Sequence, residues 1–155
     1  MAKVAVIIVN YNSGAFLKQC LVSLRQSTIP LEIVVIDNGS SDGSADFVSK
    51  ASKESDCQLI RNSTNLGFAV AVNQGVKSTT AEDVLLINPD CIVQPHSVAG
   101  LKLAMQREDC GEVGGLVFGF DGREQAGCRR RDPTFSRSVV TVSYTHLTLP
   151  TNREV

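Results

Sequence analysis

The sequence lacks any surplus of positive charge: 15 lysines and arginines stand against 16 aspartates and glutamates, for a net charge of −1 over 155 residues. That excludes a broadly basic nucleic-acid binder working by phosphate neutralisation. It also lacks a long apolar run, and nothing approaches the roughly 18–20 residues needed to cross a bilayer. The VAVIIV run close behind the start is short and has no cleavage-site pattern, so a secretory leader is not expected. Cysteine pairing is missing as well: the five cysteines, Cys20, Cys57, Cys91, Cys110 and Cys128, are odd in number, widely spaced and without C-x-x-C. Reduced thiols of a cytosolic protein fit that spacing better than a disulfide framework or a zinc site. There is no G-x-x-x-x-G-K-[ST] and no G-x-G-x-x-G after the first strand-like run, which argues against P-loop NTPases and dinucleotide dehydrogenases. A diphosphate bound by this chain would need a metal instead.

What is present is a globular composition, 43% hydrophobic and 20% charged, of a length that suits one compact domain. Residues 3–10 (KVAVIIVN) and 31–36 (LEIVVI) are continuous apolar runs, the pattern of strands buried on both faces of a parallel sheet. Between them Ser13 or Asn12 can cap a helix whose stripe is Phe16, Leu17, Cys20, Leu21 and Leu24, with Pro30 following its end. Residues 37–44 (DNGSSDGS) read as a polar turn, and Asp42 or Ser41 can cap a second helix with Ala45, Phe47, Val48 and Ala51 inward. A third strand is expected over 58–61, a loop over 62–66, a helix over 68–77 and a fourth strand over 84–87. Pro95 suits the first turn of a helix reaching about Arg107, a fifth strand is expected over 113–120, and Asp121-Gly122 reads as a turn. Alternation of this kind predicts an α/β domain, a mainly parallel sheet with helices on both faces.

Residues 142–155 (VSYTHLTLPTNREV) change character: they are threonine-rich, hold Pro150 between apolar residues and show no periodicity. Over 142–151 they resemble the in-frame translation of a transposase-type sequencing adapter. We therefore expect residues 1–141 to be the domain and 142–155 a non-native tail, which leaves His96 as the only histidine of the domain. Residues 127–137 are basic and irregular, and Arg129-Arg130-Arg131 within them could contact phosphates or an anionic lipid-linked acceptor.

Open parallel sheets bind ligands at the carboxyl ends of their strands. Polar residues collect at those ends: Asn10-Tyr11-Asn12, Asp37-Asn38 and Asn88-Pro89-Asp90. An ionised carboxylate at Asp37 accepts hydrogen bonds from a base N–H or a ribose hydroxyl, while a plain turn role there is one that Asn38 and Ser40 fill equally. A hard divalent cation such as Mg²⁺ takes one or two carboxylates and completes its shell with phosphate oxygens, so Asp90 suffices as its protein ligand. The pair of acids that a response-regulator receiver carries after its first strand is absent, because Asn10-Tyr11-Asn12 stand there.

The segments VAVIIVNYNSGAFLKQCLVSL, EIVVIDNGSSDGS, NLGFAVAVNQGV and DVLLINPDCIV, in this order and spacing, resemble the nucleotide-sugar domain of glycosyltransferase family 2. The rhamnosyltransferase-like branch of bacterial surface-polysaccharide enzymes is the nearest in pattern, and VGGLVFGFDGREQAGCRRRDPTF resembles the segment that follows. The resemblance implies a Rossmann-like fold of the GT-A type, incomplete at its C-terminus. It implies Asn10, Tyr11 and Asn12 as nucleotide-binding residues, with Tyr11 lying against the nucleobase, and Asp37 bonding the base. Asn65, Gly67 and Asn73 would line the nucleotide and its diphosphate. Asn88 would face the ribose or the sugar. Asp90 would hold Mg²⁺ or Mn²⁺ from the second place of the family's D-x-D motif, with Asn88 replacing the first Asp.

The implied reaction is displacement at an anomeric carbon with inversion, from a dTDP- or UDP-sugar (rhamnose among the candidates) to a saccharide or lipid-linked acceptor. A cytoplasmic location follows from the resemblance, with the inner face of the membrane as a further option. The base that takes the acceptor proton belongs to an acidic motif well after the metal site. Asp109, Asp121, Glu124 and Asp132 are isolated and read as surface or turn carboxylates. The expectation is therefore the donor-binding half of a transferase, with the base and acceptor half lost and the chain itself inactive in transfer. The alternative is a non-catalytic nucleotide-sugar binding module or an inactive fragment.

Overall fold

The computed structural model describes residues 3–51, 57–108, 110–119 and 121–125. Strands and helices alternate: β1 (Val4–Asn10), α1 (Phe16–Leu24), β2 (Leu31–Asp37), α2 (Asp46–Ala51), β3 (Cys57–Arg61), α3 (Phe68–Lys77), β4 (Asp83–Ile87) and α4 (Ser97–Met105). The strands form one sheet in the order β3-β2-β1-β4, and every pairing is parallel. No helix among the described residues is long and apolar enough to cross a membrane.

The continuous apolar runs make the centre of this sheet. Val6, Ile8, Ile33 and Val35 point to one face, where Leu17, Cys20, Leu21 and Leu24 of α1, Val48 of α2 and Val98 of α4 cover them. Ala5, Ile7, Val34 and Ile36 point to the other face, where Ala71 of α3 packs. Burying side chains of this size is worth about 1.5–3 kcal/mol each. α3 comes close because of Gly75: a Cβ there would lie 2.6 Å from Ile7 Cγ2 and 2.8 Å from Ile36 Cδ1.

Several local expectations change. Phe16 leaves the predicted α1 stripe and is 53% exposed, because the helix turns the stripe of Leu17, Cys20, Leu21 and Leu24 inward. Neither Asn12 nor Ser13 caps α1 with its side chain; Asn12 is spent on the Ser41 N–H and Ser13 on Asn10 at the end of β1, and the Phe16 N–H finds the Ser13 backbone oxygen instead. Asp42 closes a turn on the Ser44 N–H, and the first amide of α2, that of Asp46, bonds the Gly43 oxygen. Ala45 and Val48 are buried as expected and Phe47 packs partly buried, while the side chain of Ala51 lies outside those described. α4 starts at Ser97, behind Pro95.

The chain divides into two compact units, residues 1–113 and 114–155. Among its described residues, 113–119, the predicted fifth strand does not form. Within the second unit, Phe118 and Glu124 form an isolated antiparallel bridge. Hydrogen bonds from Gln125 N to Val117 O (2.8 Å) and from Gly119 N to Arg123 O (2.8 Å) fold the chain back on itself. Gly114, Gly115 and Gly119 interrupt the apolar run, and glycine weakens strands through its backbone freedom. Phe120, Asp109, Asp132, the basic stretch 127–137 and the tail 142–155 lie outside the described residues.

Candidate functional site

The strand order places the switch point between β1 and β4, because β2 and β3 lie on one side of β1 and β4 on the other. Ligands of open α/β sheets sit at the carboxyl ends beside such a point. Register does the first part of the assembly: Asn10, the last residue of β1, pairs with Asp37, the last of β2.

Asn10 is fully buried and serves as the hub of this corner. Its Nδ2 faces Asp37 Oδ1 (2.9 Å), Ser40 Oγ (3.0 Å) and Ser44 Oγ (2.9 Å), and its Oδ1 accepts from the Ser13 hydroxyl. Asn10 is thus sealed away from any ligand, and the contact role assigned to it by resemblance becomes one of holding Asp37. Asp37 itself is only 2% exposed. No fully buried side-chain nitrogen or oxygen among the described residues lacks a partner, and Asp37 Oδ2 has none, so that oxygen reaches the surface. One carboxylate oxygen is held by Asn10, and the other has no hydrogen-bond partner among the described residues.

The loop after β1 is clamped to the loop after β2. Asn12, at φ +50°, donates its N–H to Ser40 Oγ (3.0 Å) and accepts the Ser41 N–H on Oδ1 (2.9 Å). The Gly14 N–H donates to Asp42 Oδ2 (2.7 Å). Hydrogen bonds from Ser44, through its hydroxyl and its N–H, and from Gly14 hold the Asp42 carboxyl below its ordinary range. Between these ties in sequence stands Tyr11, 52% exposed.

Asn38, also 2% exposed, organises the next loop. Its Nδ2 donates to Asn65 Oδ1 (2.8 Å) and to the Gly67 oxygen (3.4 Å). Its Oδ1 accepts from Asn62 Nδ2 (3.1 Å) and the Leu66 N–H (3.0 Å). Asn62 and Gln74 exchange a pair of amide hydrogen bonds at 2.8 and 3.1 Å, fixing the loop to α3. Gly39 lets the loops approach: at φ +83°, a Cβ would lie 2.8 Å from the Thr64 carbonyl carbon. Asn65 and Gly67 therefore stand together at the start of α3. Asn73 is apart, in the second turn of α3, and no hydrogen bond joins it to the loops among the described residues.

After β4, Asn88 and Asp90 are both exposed. The Cys91 N–H closes a turn on the Asn88 oxygen (3.1 Å), and the Cys20 thiol of α1 donates to the same oxygen (3.8 Å). Burial, reinforced by Cys91 and Asp90, pushes that thiol up to about 12, so it stays protonated as a donor. Burial and then the Asp90 carboxylate also push the Cys91 thiol up. Further along, Val93 N bonds Ser23 Oγ (3.0 Å) and Thr28 N bonds the Pro95 oxygen (3.0 Å). Asp90 has no ion pair or hydrogen bond among the described residues, and no group of three His, Cys, Asp or Glu side chains there is placed to hold a metal. A single free carboxylate fits a hard cation that brings substrate phosphates as its other ligands, and does not fit an all-protein cage.

Ser40, Asn38, Asn62 and Gln74 were not singled out as site residues by their pattern. A buried role for Asn38 was hidden because D-N-G-S reads locally as a turn.

The family model for glycosyl transferase family 2 matches residues 5–148. The chain belongs to glycosyltransferase family 2. Relatives in the family include the glycosyltransferase GlyG of Streptococcus pneumoniae serotype 4, 25% identical over 76% of this chain and 40% of that protein. An uncharacterised Escherichia coli K12 glycosyltransferase, YibD, is 32% identical over 69% of this chain and 31% of its own length. The chain thus spans well under half of these family 2 relatives. In structure it is similar to residues 1–349 of S. aureus TarS, with a TM-score of 0.61 and 25% identity over 66% of this chain and 32% of that one. TarS has also been solved with UDP and with UDP-GlcNAc. The Pyrobaculum calidifontis mannosyltransferase PcManGT, solved with GDP-Man and Mn²⁺, shares the fold at a TM-score of 0.67 and 24% identity over 76% of this chain and 36% of that one. The architecture is that of GT-A glycosyltransferases.

Proposed function

We propose that this family 2 chain binds the nucleoside-diphosphate sugar of an inverting glycosyltransferase, with a dTDP- or UDP-sugar as donor. One observation carries the reading: the carboxyl edge brings together an exposed aromatic face at Tyr11, a held carboxylate at Asp37, the Asn65–Gly67 loop and the free carboxylate of Asp90 beside the switch point. A base calls for an aromatic face and a held acceptor, and a cation for a free carboxylate. The complexes of TarS with UDP and UDP-GlcNAc support the nucleotide class.

Tyr11 would supply a stacking surface for the base, and Asp37 Oδ2 would accept a base N–H. Asn12 would border the same pocket, and Asn88 would face the ribose or the sugar. Asp90 would hold Mg²⁺ or Mn²⁺, and the ion, when bound, stabilises charge on the departing diphosphate. Rhamnose is one candidate for the transferred sugar, the acceptor would be a saccharide or a lipid-linked acceptor, and the site of action would be the cytoplasm, with the inner membrane face as a further option. A separate base must take the acceptor proton. Asp121 does not offer one: its Oδ1 accepts the Arg123 N–H (3.0 Å) within its own turn.

Titration calorimetry of the 155-residue chain with UDP, dTDP and GDP, with and without Mn²⁺, tests the reading. Metal-strengthened binding of at least one pyrimidine diphosphate is expected. Binding of none of them, or of GDP alone, overturns it.

A further inference from the structure

We propose that Asn38-Gly39 is a latent deamidation site: the native loops hold it shut, and in an unfolded chain it converts to an isoaspartyl form that cannot rebuild them. The inference is independent of the donor-site reading above.

The chemistry starts from the sequence. The Cγ of an asparagine is open to attack by the backbone nitrogen of the next residue, and a glycine there has no side chain to block the approach. Asn38-Gly39 is the only Asn-Gly pair in the chain. Asn12 and Asn62 precede serines, whose side chains hinder the approach, and Asn88 precedes Pro89, which has no N–H to lose. In the step, a bond forms between the Gly39 nitrogen and Asn38 Cγ, the Cγ–Nδ2 bond breaks, and Nδ2 leaves as ammonia with the Gly39 proton. Water then opens the five-membered ring. Addition at Cγ gives aspartate. Addition at the Asn38 backbone carbonyl gives isoaspartate, in which the main chain runs through the side-chain methylene.

The fold withholds what this reaction needs. A primary amide offers two N–H donors and an oxygen with two acceptor sites. Asn38 uses all of them, on Asn65, Gly67, Asn62 and Leu66, and its own backbone N–H is bonded to the Asn10 oxygen (2.8 Å). To turn Cγ onto the Gly39 nitrogen, the side chain must give up such bonds in a corner almost closed to water, where nothing replaces them. The isoaspartyl product fits no better. Gly39, at φ +83°, has no room for one further carbon, since a Cβ there would lie 2.8 Å from the Thr64 carbonyl carbon and 3.1 Å from the Asn65 nitrogen. A main chain lengthened by a methylene just before Gly39 displaces that residue within the same gap. In an unfolded chain the partners and the crowding are both gone, and the local sequence alone sets the rate.

The test ages the 155-residue chain with a thiol reductant at mildly alkaline pH, once folded and once in guanidinium chloride. Peptide mapping by mass follows each asparagine, and enzymatic methylation counts isoaspartate. In the denaturant the peptide holding Asn38 should gain one mass unit ahead of the peptides holding Asn12 and Asn62. In the folded chain the same change should be slower by roughly tenfold or more. Equal rates in the two states overturn the protection, and an absence of isoaspartate at position 38 in the denaturant overturns the site. The aged chain is then diluted out of denaturant beside freshly unfolded chain. Isoaspartate at position 38 should concentrate in the fraction that fails to refold. The same proportion of it in the refolded fraction as in the whole sample overturns the exclusion of the product. The comparison of rates carries the test by itself where the fresh chain does not refold.

Discussion

After β1 and β2 the carboxyl edge is sealed and cross-bonded, whereas after β4 it stands open. Asp37 is 2% exposed and gripped by a fully buried asparagine, and the two loops above it are tied at Asn12, Gly14 and Asn38. Asp90 is exposed, and its turn is held from below by a thiol bond of 3.8 Å and by the Ser23 and Thr28 anchors further along. The difference matches the chemistry each half serves. A base is recognised by fixed directions, so its carboxylate gains from being oriented in advance. A Mg²⁺-type ion takes most of its ligands from phosphate and water, so a free carboxylate is enough.

Removing the hub should break the sealed half most severely. Asn10→Leu leaves the Asp37 carboxylate and three serine hydroxyls without their shared partner in a buried corner. A loss of about 3 kcal/mol is expected in urea unfolding. A loss below about 1 kcal/mol would show that water replaces the amide and that the corner is not sealed.

Gly39→Ala comes next. The residue sits at φ +83° and a Cβ would press on the Thr64 backbone at 2.8 Å. Left-handed backbone costs a non-glycine residue about 1–2 kcal/mol, and the clash adds to it, so about 2 kcal/mol in the same measurement is expected.

On the open half the balance reverses. Asp90→Ala removes an exposed carboxylate without a partner among the described residues, so stability should change by less than about 0.5 kcal/mol. The gain in nucleotide affinity on adding Mn²⁺ should vanish in calorimetry. Retained metal dependence would move the cation to other ligands.

The sheet was legible because its signals are local. KVAVIIVN and LEIVVI announce buried parallel strands, and α1, α3 and β4 fall within a residue or two of their expected bounds. Two kinds of fact were not local. β4 is as apolar in sequence as β1, yet Val84 and Leu86 are 39% and 50% exposed while Ala5 and Ile7 beside them are buried, since cover depends on where α3 crosses. The fifth strand failed for the same reason: an apolar run takes its place from partners, and the glycines within it let the chain fold back. Tyr11, Asp37, Asn88 and Asp90 stand where motif and strand end coincide, whereas Asn65 and Gly67 were named by the resemblance alone. Asn10 misled, because residue type names a hydrogen-bonding group and not the direction in which it is spent. Asn38 was read as a turn residue, because D-N-G-S has that form locally.

The smallest expected effect probes the clamp between the first two loops. Hydrogen bonds from Ser44 and Gly14 depress the Asp42 carboxyl in the folded chain relative to its unfolded value of about 3.9. A depressed carboxyl contributes stability that is fully present above the unfolded value and is lost as pH falls through the folded one. Asp42→Asn keeps an acceptor oxygen for one partner and removes the charge. Urea midpoints of the two proteins should therefore differ slightly at pH 6, with the unaltered chain the more stable. The gap should close as pH falls below about 4, where the unaltered carboxyl begins to take up its proton. Because Asp42 lies on the surface, salt should narrow the gap at pH 6 as well. A gap that is constant from pH 6 to pH 3 would mean that Gly14 and Ser44 respond to the shape of the side chain and not to its charge.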